Sequence, residues 1–166
     1  MHRRLLAIPL LLALTALALH AWTADGPPPQ RGVVTEVIDG DTILVRAGTR
    51  TLDVRLLGIN TPETVHPRRP VECFGPQASR YAKRLLQGVQ VRLVYDRELR
   101  DRYDRWLAYV YVEQPGRAPL FANARLVAEG YARTLSMAPN TLHADEFAAL
   151  ERRAALAGRG LWSACG

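Results

Sequence analysis

The stretch GVVTEVIDGDTILVRAGTRTLDVRLLGINTPET, Gly32 to Thr64, decides the architecture. Three runs rich in β-branched and apolar residues, Val33 to Ile38, Thr42 to Ala47 and Thr51 to Ile59, are separated by Asp39-Gly40 and Gly48-Thr49. Runs of that length suit strands, and the short breaks supply residues that tolerate tight reversals, so a three-stranded meander is expected. The third run ends abruptly in Asn60, Thr61, Pro62 and Glu63. Proline lacks an amide donor and biases the residue before it toward extended backbone. The strand therefore gives way to a fixed loop carrying an amide, a hydroxyl and a carboxylate.

Downstream the period changes. From Gly75, residues Ala78, Tyr81, Ala82, Leu85 and Leu86 fall on one helical face and Gly88 ends the run. Two further strands are expected at Val89 to Tyr95 and Trp106 to Glu113, with the charged connector DRELRDRYDR between them. LFANARLVAEG reads as a short helix ending at Gly130, and HADEFAALERRAALAGRG as a longer one with Phe147, Leu150 and Leu156 inward. Three strands, a helix, two strands and terminal helices is the element order of an α+β fold dominated by a five-stranded OB-type barrel with about three helices. Such barrels commonly bind oligonucleotides, but a fold does not fix a function.

Upstream, Arg3 and Arg4 precede an apolar segment from Leu5 to Leu19, short for a membrane span and suited to an export signal. Residues 1–24 are expected to be a signal peptide, with Ala16-Leu17-Ala18, Ala21 and Ala24 as alternative cleavage points; an uncleaved anchor is the other reading. Residues 25–32 form a proline-rich linker and 33–166 the domain, exported to the periplasm or the medium. The chain of 166 residues is 48% apolar, enough for a core and too apolar for a disordered chain. It carries 22 basic and 16 acidic residues, a net charge of +6, and loss of Arg3 and Arg4 with the leader leaves +4. A modest positive excess suits polyanionic partners without specifying one. Lys83 is the only lysine. The preference for arginine reflects either genomic base composition or recognition of phosphate by planar forks. Cys73 and Cys165, an even count in an exported chain, are expected to pair. Such a bond would close about 90 residues and stabilise by roughly 3 to 5 kcal/mol on the chain-entropy account. Two free thiols or a metal site are the alternatives, and without nearby histidines the pair makes a poor zinc site.

Polar groups come from three places: IDGDT (Ile38 to Thr42), RLLGINTPE (Arg55 to Glu63) and DRYDRWLAY (Asp101 to Tyr109). Singly each has a bland reading: a hairpin turn, a solvated charge, a snorkelling arginine. Together with GPQAS at Gly75 to Ser79 and GLWS at Gly160 to Ser163, their order resembles the staphylococcal nuclease (thermonuclease) family of secreted, calcium-dependent phosphodiesterases, from about Val33 to Ser163. The resemblance implies that Asp41, Asn60 and the Thr61 backbone carbonyl ligate Ca²⁺, with Mg²⁺ or another divalent ion as the alternative; Asp39, two residues before Asp41, could add a contact of its own through a water. It implies that Glu63 activates or orients the attacking water, that Arg55 and Arg105 hold the scissile phosphate, and that Tyr103 and Arg102 lie near the substrate backbone. Arg68 and Arg69, in the loop Thr64 to Gly75, would steer nucleic acid or simply be solvated.

Those residue types suit the chemistry. Calcium takes carboxylate, amide and carbonyl oxygens. Forked guanidinium donors match phosphate oxygens as negative charge builds on them. A carboxylate can accept a proton from water.

The sequence departs from the family pattern in two places. Asn60 stands where the family's typical nuclease has a second aspartate, which predicts weaker calcium binding. Leu135, Ser136 and Met137 stand where it has a pair of tyrosines near the base, which predicts weaker stacking; Tyr131 then reads as core. His66 and His143 have no metal-ligand spacing and read as structural or surface groups. The implied function is a monomeric exported nuclease acting on DNA and RNA and leaving 3′-phosphate ends. The rivals are a nucleic-acid-binding module that has lost catalysis and a membrane-tethered interaction domain.

Overall fold

A computed structural model describes residues 28–64 and 70–165. The expected leader, the first part of the linker, and His66, Arg68 and Arg69 lie outside the described residues. Among those residues no helix is long and apolar enough to cross a membrane.

The meander is present as β1 (Arg31–Val37), β2 (Thr42–Ala47) and β3 (Arg50–Leu56), followed by β4 (Ile59–Asn60), α1 (Gly75–Leu86), β5 (Gln90–Val94) and β6 (Trp106–Val112). β7 (Leu120–Phe121), α2 (Ala122–Ala128), β8 (Arg133–Thr134), α3 (Ala144–Leu156) and α4 (Leu161–Ala164) complete the order. Antiparallel pairings run β3 to β2, β2 to β1, β1 to β5 and β5 to β6, and β6 returns to β3 in parallel, so the five long strands close on themselves as expected. The barrel has no free edge along this cycle. Four helices are described rather than about three, the fourth a single turn at the C-terminus.

One boundary and one side-chain orientation differ from the sequence reading for identifiable reasons. The run Thr51 to Ile59 is not one strand: it turns at Leu57-Gly58, where Gly58 adopts φ +74 and packs so closely on Phe147 that a β-carbon would lie 2.5 Å from its ring. Leu156, expected inward, is 90% exposed. Phe147 and Ala154 are the buried positions of α3, and Leu156 falls two residues beyond Ala154, on the other side of the helix.

Apolar side chains alternate inward along the strands, with Val34, Ile43, Val45, Val54, Leu56, Leu93 and Val110 fully buried or nearly so. Leu126 and Phe147 add the helical side of the same core. Tyr131 is half-buried and stacks on Tyr81 at 4.0 Å, consistent with a packing role. His143 lies among the rings of Tyr109, Phe121 and Phe147 and bonds Glu146 at 2.8 Å, a structural position. Cys73 and Cys165 are joined, and among the described residues no cysteine is free.

Two buried amides hold the frame of the site. Asn123 accepts the Val110 N–H and donates to the Leu57 carbonyl, both at 2.9 Å, fixing the turn after β3 against β6. Asn140 accepts the Glu98 N–H at 2.8 Å and donates to the Glu98 carbonyl at 2.9 Å, anchoring the charged connector between β5 and β6. Buried amides saturated in this way fix relative positions rather than add large net stability.

Candidate active site

One open cleft of about 620 Å³ gathers Asp39, Asp41, Arg55, Asn60, Thr61, Glu63, Arg102, Tyr103 and Arg105, which is every described residue singled out for metal or substrate. Strand register explains the convergence. Thr42 at the start of β2 pairs with Arg55 near the end of β3, and Arg55 pairs in parallel with Leu107 of β6, so the β1–β2 turn and the root of the DRYDR connector meet at one end of the barrel.

Asp41 is buried behind this cleft. One carboxylate oxygen accepts the Thr61 backbone N–H at 2.7 Å and the Thr61 hydroxyl at 3.2 Å; the other lies 3.2 Å from Arg55 Nε and 3.3 Å from the Thr42 hydroxyl. Burial pushes its carboxyl up to about 6, opposed by Arg55, reinforced by Asp39 and moderated by the Thr61 hydrogen bonds. Gly40 permits the arrangement through space rather than backbone freedom: a β-carbon there would lie 2.6 Å from Thr61 Cβ, Cγ2 and Oγ1.

Arg55 is itself buried and uses three groups inside the protein. Nε faces Asp41, one terminal nitrogen donates to the Leu56 carbonyl at 2.7 Å, and the other donates to Asn60 Oδ1 at 3.2 Å. The Asn60 Nδ2 lies 3.4 Å from the Thr61 carbonyl. Asp41, the Asn60 amide and the Thr61 carbonyl are thus neighbours, and they are hard oxygen donors of the type calcium and magnesium take. Among the described residues no three His, Cys, Asp or Glu side chains converge to hold a metal ion. A cation would rest on one buried carboxylate, uncharged oxygens and water, and the donor set fits such an ion more weakly than two carboxylates would.

Arg105 is held differently. Its Nε and one terminal nitrogen donate to Asp101 Oδ2 at 2.8 and 2.7 Å, while Asp101 Oδ1 accepts the backbone N–H groups of Tyr103 and Arg105. Burial acts to raise the Asp101 carboxyl, but the hydrogen bonds from Arg105 and Tyr103 outweigh it and hold it below the usual range. The other terminal nitrogen of Arg105 is turned to the Thr42 hydroxyl, at 3.5 Å. Tyr103 is 64% exposed at the rim, its hydroxyl accepting from Arg102 at 2.6 Å, with Arg102 and Arg105 over its ring. Glu63 is half-buried, and Oε1 accepts the Thr64 N–H at 2.8 Å.

Sequence reading missed two carboxylates here. Asp101 carried a signal, the Asx-turn spacing in which an aspartate caps the amide two residues on. Asp53 lines the cleft two residues before Arg55; alternation puts the two on one strand face, and closure of the barrel turns that face to the cleft. Leu135 and Met137 line an adjoining cleft of about 370 Å³ that shares Arg55, Arg102, Tyr103 and Arg105.

Comparison with known proteins identifies the family. A family profile described as staphylococcal nuclease homologue matches residues 53–164. The chain is 34% identical to a thermonuclease of Staphylococcus hyicus over 160 residues, covering 91% of this chain and 92% of the relative. It is 40% identical to a thermonuclease of Staphylococcus intermedius over 139 residues (79% and 80% covered), and 37% identical to the endonuclease YncB of Bacillus subtilis over 131 residues (78% and 60%). A closed five-stranded barrel, a matching profile over most of the domain and relatives aligned nearly end to end make this chain a member of the staphylococcal nuclease family.

Proposed function

We propose that the chain is a nuclease that hydrolyses phosphodiester bonds of DNA and RNA with a bound divalent cation, calcium before magnesium, and leaves 3′-phosphate ends. The observation that carries this reading is the single cleft in which Asp41, Glu63, Arg55 and Arg105 converge at one end of the barrel. Family membership supports it, and three of the most similar relatives are named for nuclease activity.

Asp41, the Thr61 carbonyl and the Asn60 amide oxygen would hold the cation, with Asp39 beside them. When bound, such an ion neutralises charge on a phosphate oxygen and leaves phosphorus more open to attack. Arg105, braced by Asp101, directs its remaining donors at the phosphate, and Arg55 adds the N–H groups not used within the protein. Glu63 takes the proton from a water as its oxygen bonds to phosphorus. The bond from phosphorus to the 5′ oxygen breaks, that oxygen takes a proton from solvent and leaves as a hydroxyl while Glu63 returns its proton to solvent, and the phosphate stays on the 3′ side. Tyr103 and Arg102 offer a ring and a cation to the strand at the rim.

The apolar N-terminal segment and the joined cysteines support export of the enzyme, cleaved from residues 1–24, and the monomeric state is taken from the family likeness alone. Hydrolysis of single-stranded DNA and of RNA with calcium, with magnesium and with a chelator, alongside Glu63→Gln, tests the reading. Cation-dependent cutting that largely vanishes in the variant, with 3′ ends sensitive to phosphatase, is expected. Nucleic acid bound but uncut under every ion would make the chain a binding module instead. Mass spectrometry of the protein from its native host reads the processing site.

A further inference from the structure

The catalytic carboxylate proposed above sits at the neck of a loop, and the neck has its own construction. Glu72 and Glu63 are bonded twice: the Glu72 N–H donates to the Glu63 carbonyl at 2.9 Å, and the Glu63 N–H donates to Glu72 Oε2 at 3.1 Å. The Gly75 N–H donates to the Glu72 carbonyl at 3.0 Å, and α1 begins so close to this segment that a β-carbon on Gly75 would lie 2.7 Å from Thr64 Cγ2 and 2.9 Å from the Glu63 carbonyl oxygen. The residue after Glu72 is Cys73, bonded to Cys165. Cys165 in turn donates its N–H to Leu161 at 3.0 Å; Leu161 is buried and donates to the Gly130 carbonyl at 2.9 Å. A continuous covalent and hydrogen-bonded path therefore runs from the core, through α4 and the disulfide, to the backbone of Glu63.

Glu72 and Cys73 are exposed. Hydrogen bonds in water are readily exchanged for water, so two exposed bonds alone hold a backbone weakly. A covalent tether at the next residue removes most of the freedom that would otherwise break them.

We propose that Glu72 is a positioning residue for Glu63, and that the Cys73–Cys165 bond keeps Glu72 in place, so that full turnover belongs to the oxidised chain. Glu72 acts through the backbone of Glu63 and takes no part in the chemistry. This rests on the nuclease reading of the cleft. Its consequence is that the enzyme is weak in a reducing compartment and reaches full activity on oxidation by exchange with a small-molecule or protein disulfide, whose two sulfurs leave as thiols as the Cys73–Cys165 bond forms.

The test compares wild type, Glu72→Ala, Glu72→Gln and Cys73→Ser with Cys165→Ser, each shown folded by circular dichroism at the assay temperature. The wild type is also assayed after reduction by dithiothreitol, which takes the disulfide to two thiols and itself becomes the cyclic disulfide. A misplacement of about 1 Å lowers turnover up to about a hundredfold, so loss of the neck is expected to lower kcat by about tenfold or more. KM should stay within about twofold, because Arg55, Arg102 and Arg105, the arginines that line the cleft, lie outside this loop. Glu72→Gln keeps an oxygen that can accept the Glu63 N–H and should restore most of kcat with an unaltered pH profile. Reduction and Glu72→Ala should not add, since both act at one neck. Hydrogen exchange at the Glu63 amide should rise in Glu72→Ala and in the reduced protein. Folded Glu72→Ala with unchanged kcat, additive effects, or unchanged exchange overturns the proposal. A wild type that cuts nothing under any cation overturns the nuclease reading instead, and the exchange measurement still decides whether the neck is built as described.

Discussion

Gly40→Ala is the substitution whose effect follows most directly from the geometry. A β-carbon at position 40 would lie 2.6 Å from Thr61 Cβ. Carbon atoms in contact settle at roughly 3.5 to 4.0 Å, so about 1 Å must be found. Rotating the Thr61 side chain moves Cγ2 and Oγ1 but not Cβ, which is rigidly attached to the backbone, so the backbone itself must shift. Overpacking of this kind costs about 1 to 3 kcal/mol. The same shift stretches the 2.7 Å bond from the Thr61 N–H to Asp41, leaving a buried carboxylate short of a partner and adding about 1 to 3 kcal/mol. We expect a loss of about 2 to 6 kcal/mol in urea denaturation. At a temperature where the variant is still folded, displacement of the Thr61 carbonyl should lower the rate on single-stranded DNA by about a hundredfold. Gly48→Ala is the control: Gly48 also lies in a turn, at φ +63, but nothing approaches its missing β-carbon within 4 Å. It should lose about 1 kcal/mol through backbone strain alone and keep its rate. Gly40→Ala within about 0.5 kcal/mol and about twofold of wild type in both measurements would refute the close-approach reasoning.

Asn60→Asp places a second charge beside Asp41 and should tighten divalent-cation binding by about tenfold in isothermal titration, because affinity in such sites follows ligand charge. Asp41→Ala leaves Arg55 buried without its carboxylate and should cost about 3 to 5 kcal/mol, whereas Asp41→Ala with Arg55→Met should recover part of that loss, as a denaturant double-mutant cycle would show. Asp104→Gly relieves a non-glycine residue at φ +64 but gives up an exposed pair with Arg100; about 1 kcal/mol of relief against the greater freedom of an unfolded glycine predicts a net change within about 0.5 kcal/mol and an unchanged rate. Burial pushes the hydroxyls of Tyr95 and Tyr109 up to about 12, opposed at Tyr95 by Arg50 and Arg100 and reinforced at Tyr109 by Asp96. The unfolded chain loses these protons near pH 10, so stability present below that pH should fall as pH rises through about 12, and less steeply in Tyr109→Phe, measured by urea denaturation in alkaline buffers.

The barrel was legible because β-branched runs broken by Asp39-Gly40 and Gly48-Thr49 are local signals, and the pairings of β1, β2 and β3 follow them. The gathering of Asp41, Arg55, Asn60, Glu63 and Arg105 was legible because ordered motifs carry register with them. What failed was what depends on a distant partner. Gly58 breaks the third strand because Phe147, far along the chain, packs on it. Asp39-Gly40 read as turn chemistry, yet the reason for glycine lies in Thr61, across the cleft. Leu156 was drawn inward by hydrophobicity although the helix turns it to solvent, with the smaller Ala154 buried instead. Asp53 was passed over because a carboxylate in a strand reads as outward polarity, and only the closed barrel shows that outward here means into the cleft.

The cleft is a set of charges that neutralise one another: Asp41 with Arg55, Asp101 with Arg105. A phosphate entering it must compete for both arginines, and the two are held with different strength. Arg105 donates from two nitrogens to one Asp101 carboxylate oxygen, whose partner oxygen caps the local backbone, an arrangement that fixes the side chain while leaving a terminal nitrogen facing the cleft. Arg55 is divided among a carboxylate, a carbonyl and the Asn60 amide. A neutral amide holds a guanidinium less firmly than a carboxylate would, so Asn60, which would hold a cation less tightly than an aspartate, also leaves Arg55 easier to recruit. The same exchange links the two effects of Asn60→Asp. Tighter cation binding and a firmer grip on Arg55 should arrive together, so a gain in calcium affinity need not appear as a gain in kcat.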